Sequence, residues 1–108
     1  MPSPQLSNYV RSNRKRLALS QGEVAFLLGK ESGADVSRHE NRQRLPGLEI
    51  ALAYEVVFGR PLSEIFGGIY QKAEGEVAKR ARILASRTNG KRDAAKRKML
   101  GHLAAINR

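Results

Sequence analysis

Apolar residues in this chain recur three or four positions apart in short blocks, the spacing of helices with one inward face. Leu6, Val10, Leu17 and Leu19 lie in and around "NYVRSNRKRLAL" and predict an amphipathic helix ending near Leu17. Ser20 then has the character of an N-cap, and Glu23 three residues on completes a capping box. The helix it opens, "QGEVAFLLG", turns Val24, Ala25 and Leu28 inward and closes at Gly29 in a left-handed cap. Ser32 is a second cap, opening a third helix from about Gly33 to Asn41 in which Val36 is the one strongly apolar residue. Pro46 in "RLPG" interrupts the helical pattern. A fourth helix, "LEIALAYEVVFG", offers Leu48, Ala51, Leu52, Tyr54 and Val57 as its inward set and ends at Gly59. Pro61 begins a last short helix whose Leu62, Ile65 and Phe66 close the core.

Short loops between these five helices predict a compact all-α domain over residues 1–68. The brief turn after Gly29 is the signature of a helix-turn-helix rather than of an extended bundle. Past Gly67-Gly68 the composition shifts, and residues 69–108 form a basic helical extension. Tyr70, Ala73, Val77, Ala81 and Leu84 make one thin apolar stripe; Ala95, Met99, Leu103 and Ile106 make another, beyond a break at Asn89-Gly90. Gly75 and Gly101 weaken these helices by roughly 1 kcal/mol each. Stripes so narrow need a covering surface from this domain, a second subunit or DNA, or they stay disordered until bound.

Charge sharpens the picture. Residues 1–70 carry nine basic and seven acidic side chains, whereas residues 71–108 carry eleven basic and three acidic. An excess of this kind points to a polyanionic partner, nucleic acid ahead of anionic lipid. The chain has no cysteine and two histidines, which excludes disulfides and leaves no zinc-ligand spacing. No apolar run approaches the ~20 residues of a membrane span, and the N-terminus has no secretory pattern, so the expected location is cytoplasmic, on the nucleoid. Nucleophile–base groupings, phosphate-cradling glycine loops and paired catalytic carboxylates are all missing, so the expectation is a non-enzymatic protein without cofactor or metal.

With "LSQGEVAFLLG", "VSRHEN", "RLPGLEIALAYEVVFG" and "PLSEIF" in this order, the chain resembles the Cro/repressor-type helix-turn-helix family, also called lambda-repressor-like, over about residues 6–68. The resemblance implies that helix three is a recognition helix laid in the major groove. It assigns base contacts to Gly33, Ala34, Asp35, Ser37 and Arg38, and phosphate contacts to Gln21, Ser32, Asn41, Arg42 and Arg44. Small Gly33 and Ala34 would let the helix end approach the bases, so Leu at either position should block entry and spare the fold. Ala34 could meet a thymine methyl and Asp35 a cytosine amino group, although Asp35 is equally an ordinary first-turn carboxylate. Arg38 could read guanine or clamp a phosphate. Arg14 and Glu40 fall where the family pairs helix one with helix three, and His39 reads as a packed or partly exposed residue rather than a ligand. "KESGAD" between Gly29 and Val36 is one residue longer than the usual family turn, which leaves the register of helix three open by one position.

The function implied is a sequence-specific, double-stranded DNA-binding transcriptional regulator, a repressor working as a homodimer on an inverted repeat. Its dimer contact would lie on the apolar residues of the fifth and later helices. An alternative is an antitoxin or adaptor whose residues 71–108 fold against a protein partner; a third is general nucleic-acid coating.

Overall fold

A computed structural model describes residues 8–87 and 94–106. Among them are seven helices and no strand: α1 (Val10–Arg16), α2 (Gln21–Leu27), α3 (Ala34–Glu40), α4 (Leu48–Phe58), α5 (Leu62–Ile65), α6 (Gly67–Arg87) and α7 (Ala94–Ala104). The fold is all-α, and no helix among the described residues is long and apolar enough to cross a membrane. Leu6 and the Asn89-Gly90 break lie outside the described residues. The chain divides between Tyr70 and Gln71 into two compact units.

Three of the helices in unit 1 have only seven residues, too few to persist alone, so their ends are closed by local chemistry. α2 opens on the Ser20–Glu23 box: Glu23 N donates to Ser20 Oγ at 3.0 Å and Ser20 N donates to Glu23 Oε1 at 2.9 Å. α1, α2 and α3 all end alike. The residue after each C-cap turns left-handed, at Ala18 (φ 58°), Gly29 (φ 78°) and Arg42 (φ 61°). The next amide folds back onto the helix, Leu19 N to Arg14 O, Lys30 N to Ala25 O and Gln43 N to Arg38 O, at 3.1, 2.8 and 2.9 Å. This is the Schellman closure, and Gly29 is the only one of the three that residue type announces. α5 is capped from a distance, Leu62 N donating to Glu55 Oε1 of α4 at 2.9 Å.

Ser32 does not cap α3 in the expected way. Gly33 is the N-cap, and Ser32 Oγ accepts instead from Ala34 N at 3.3 Å. The helix starts at Ala34.

The core of unit 1 gathers Val10 of α1, Val24, Ala25 and Leu28 from α2 and its cap, Val36 of α3, Tyr54 and Phe58 of α4, and Ile65 and Phe66. Tyr54 stands at its centre, stacked on Phe58 and edge-on to Phe66 and His39. The inward face of α4 differs from the expected one. Leu48 is 73% exposed and Leu52 45% exposed, while Ala51 is only half-buried. Tyr54 and Val57 face the core as expected, and Ile50, Ala53 and Phe58 join them in place of the two leucines. α4 is apolar on nearly every side, so its periodicity sets no phase. The two large rings, four residues apart, win the core because they bury the most surface.

In unit 2, Ala81 of α6 packs with Leu100 and Ala104 of α7, flanked by Leu103. Arg82 crosses to the end of α7, donating from Nε to Ala104 O at 3.2 Å and from Nη2 to Ile106 O at 3.3 Å. A cation thereby meets the negative end of the helix dipole. The expected stripes are corrected here too. Tyr70, Ala73, Val77, Leu84, Ala95 and Met99 are exposed; Ala81 is buried and Leu103 half-buried as expected, and the further buried positions are Ala78 on α6 and Leu100 and Ala104 on α7. Alanines allow the closest helix approach, which fixes the phase in a unit with little apolar volume. Gly67-Gly68 starts α6 rather than separating segments, and Gly75 lies within that helix.

Candidate nucleic-acid interface

Glu40, the last residue of α3, ties three helices together. Its carboxylate accepts from Arg14 Nε at 2.6 Å, Arg14 Nη2 at 3.2 Å and Gln21 Nε2 at 3.1 Å. Arg14 also donates from Nη1 to Leu19 O at 3.0 Å. The bond to Glu40 raises the pKa of the guanidinium, against the opposing effect of burial. The Glu40 side chain is 3% exposed, so this is a buried charge satisfied by a bidentate arginine and an amide. Gln21 therefore directs one of its two amide N–H groups to the interior of the unit.

A second tie lies at the start of α3. A Cβ built on Gly33 would stand 3.0 Å from Gln21 Cβ and 3.1 Å from Gln21 C and Gly22 N. Backbone is pressed on backbone where α3 meets α2, so Gly33 is small for an intramolecular reason. A leucine there would push the two helices apart, and it would not spare the fold as the sequence suggested. Ala34, by contrast, is exposed.

Behind α3, His39 is buried with its Nδ1 2.7 Å from Tyr54 Oη. Its backbone carbonyl accepts from Asn8 Nδ2 at 3.0 Å. Burial lowers the pKa of His39; Asp35 opposes this, while Arg44 and Lys30 add to it. Burial likewise pushes the Tyr54 hydroxyl above its ordinary value. Both groups are held neutral, and the pair pins α3 to α4.

These ties leave one side of α3 facing outward. At 100° per residue Ala34, Ser37, Arg38 and Asn41 share that side and Asp35 flanks it, opposite buried Val36 and His39. Arg38 Nη1 donates to Asp35 Oδ1 at 2.9 Å, and Arg44 Nη1 lies 3.8 Å from the same oxygen. Asn41 Nδ2 donates to Ser37 Oγ at 3.3 Å. Arg42 is exposed at the left-handed turn that ends the helix.

Of the ten residues expected to meet nucleic acid, Ala34, Ser37, Arg38, Asn41 and Asp35 share the outward side of α3 or its flank. Arg42 and Arg44 follow it, and Ser32 is exposed in the turn before it. Gly33 and Gln21 are engaged within the unit. The acidic clamp on Arg38 and Arg44 was the unforeseen element. Its only signal was the Asp35–Arg38 spacing of three, and the reach back from Arg44 has none. Among the described residues no three His, Cys, Asp or Glu side chains converge as metal ligands. The chain matches no family model, no curated protein and no solved structure.

Proposed function

We propose that unit 1 is a helix-turn-helix domain of lambda-repressor-like design, and that the protein is a sequence-specific regulator of transcription binding double-stranded DNA. One observation carries this reading. α3 is fixed to its neighbours by Glu40, Gly33 and His39, yet presents a side built from a small residue, two short hydrogen-bonding groups and an oriented arginine. A helix that only closed a core would not need such an outward side, whereas a helix entering the major groove does. In this reading Ala34, Ser37 and Arg38 meet base edges, and Asn41, Arg42 and Arg44 meet the sugar-phosphate backbone.

The regulator would act as a homodimer, its two α3 helices reaching major grooves about 34–36 Å apart, and would repress by occupying an inverted repeat. Leu48, Leu52 and Val56 form an exposed apolar row along α4 suited to the twofold contact. The test is selection of random duplexes by the full protein at about 150 mM salt, together with the mass of the complex. An inverted repeat bound by two chains supports the reading; recovery of no preferred sequence overturns it.

A further inference from the structure

α6 carries the first half of unit 2, and its buried positions there, Ala78 and Ala81, lie on one side. At 100° per residue the other side presents Lys72, Lys79, Arg80 and Arg87, all exposed, with Glu76, Ile83 and Ser86 among them. Glu76 is the one carboxylate on this side and pairs with Arg80 at 3.2 Å. Among the described residues Lys72, Lys79 and Arg87 have no acidic partner within 4.0 Å. With eleven basic and three acidic residues after position 70, little in the unit offsets them.

The arrangement discriminates between polyanions. A helix lying on a lipid surface needs large apolar residues opposite its cations. Here the opposite side holds the buried Ala78 and Ala81 together with the carboxylate Glu74 and small Ala85, and the larger Val77 and Leu84 stand only at its flank. A single-stranded nucleic acid is gripped by stacking its bases on aromatic rings, and residues 71–108 contain no aromatic side chain other than His102. What remains is a straight row of cations. With a rise of ~1.5 Å per residue, Lys72 and Lys79 stand about 10 Å apart and Lys79 and Arg87 about 12 Å apart. The major groove is ≈ 12 Å wide, so neighbouring cations can reach phosphates on its two edges. We propose that this face of α6 binds the phosphate backbone of duplex DNA without reading its sequence, as a contact additional to the one proposed for α3. The choice of DNA as the duplex rests on that proposed function.

The experiment uses the full chain and the triple variant Lys72→Gln, Lys79→Gln, Arg87→Gln, which keeps good helix formers at all three positions. Affinity is measured for the selected duplex and for a random duplex of equal length between about 50 and 300 mM salt. The slope of log K against log salt should fall by about 2 to 3, and both duplexes should lose roughly tenfold to a hundredfold at the lowest salt. The ratio between them should hold. Arginine at positions 72 and 79 with Arg87 kept should restore the slope. An unchanged slope in the glutamine variant overturns the proposal, as does loss of binding to anionic phospholipid vesicles in place of DNA. Arg38→Ala, run in parallel, separates the two ideas. If it leaves the duplex preference intact while the triple variant loses all duplexes alike, the α3 reading fails and this one stands. If it abolishes the preference and the triple variant binds normally, only the present proposal fails.

Discussion

On α3, Asp35 hydrogen-bonds Arg38 at 2.9 Å and stands 3.8 Å from Arg44, so one carboxylate orients one guanidinium and draws a second toward it. On α6, Lys72, Lys79 and Arg87 reach into solvent with no carboxylate oxygen within 4.0 Å among the described residues. A held arginine loses little freedom on meeting a partner, but it must give up or share its acid, which only a well-matched partner compensates. A free lysine attracts any phosphate and discriminates among none. The comparison teaches that the acid, not the number of cations, separates a surface suited to selecting from one suited to attracting.

The largest expected effect comes from removing the support behind α3 while leaving α6 alone. Glu40→Ala strands Arg14 and Gln21, and should cost about 3 kcal/mol of stability. Thermal melts would show a fall of more than ten degrees for a domain of this size. Near-native stability would show that the carboxylate does not hold α3, and the contrast with α6 would lose its basis.

Within the face itself, Arg38→Ala should weaken binding to the preferred duplex by ~1–3 kcal/mol and barely affect random duplexes. Asp35→Asn frees both guanidinium groups, so it should strengthen binding to random duplexes and narrow the preference. Equal losses on all duplexes for Arg38→Ala would put α3 in the same class as α6.

His39 supplies a pH test that α6 has no means to show. Its folded pKa lies below the ordinary 6.5 because the ring is buried. The unfolded chain therefore takes up the proton first as pH falls. Stability is fully present above about pH 6.5 and is lost as pH drops toward the folded value, by at most ~1.4 kcal/mol per pH unit. Urea titrations at pH 7.5 and pH 5 should show the loss, and His39→Gln should flatten it. A stability independent of pH in the native chain would mean the ring is not held neutral.

The smallest effect is a gain. Ala18 occupies a left-handed turn at φ 58°, which an L side chain tolerates poorly and glycine accepts. Ala18→Gly should add about 0.5–1 kcal/mol of stability without altering binding on either face. A loss instead would show that the methyl packs well enough to outweigh the strain.

How much of this the sequence disclosed follows from how far each signal reaches. The Ser20–Glu23 box and the Gly29 turn depend on residues within one helical turn, and both were legible. So were the inward Val24, Ala25 and Leu28, whose spacing from the capped helix start sets the phase even though apolar Phe26 and Leu27 stay exposed beside them. α4 was legible only at Tyr54 and Val57: with Leu48, Ile50, Leu52, Val56 and Phe58 also spread around it, every phase looks apolar, and only the meeting with Phe66 and His39 selects one. Ala18 and Arg42 concealed their turns because neither residue favours them. Gly33 misled in a different way. A small residue at a helix start fits a close approach to bases as well as to another helix, and only the Cβ distances to Gln21 and Gly22 decide that the second is real. In unit 2 the alanines that set the helix phase carry too little hydrophobicity to stand out from Val77 or Met99.

Arg42 joins two demands at one residue, for it turns the chain left-handed at φ 61° and places a cation just past the end of α3. Screened for survival on heating alone, a mutant library at this position should drift toward glycine or asparagine. Screened for occupancy of a target, it should keep arginine. A divergence between the two enrichments would measure how far holding a target and holding the fold pull against each other at one side chain.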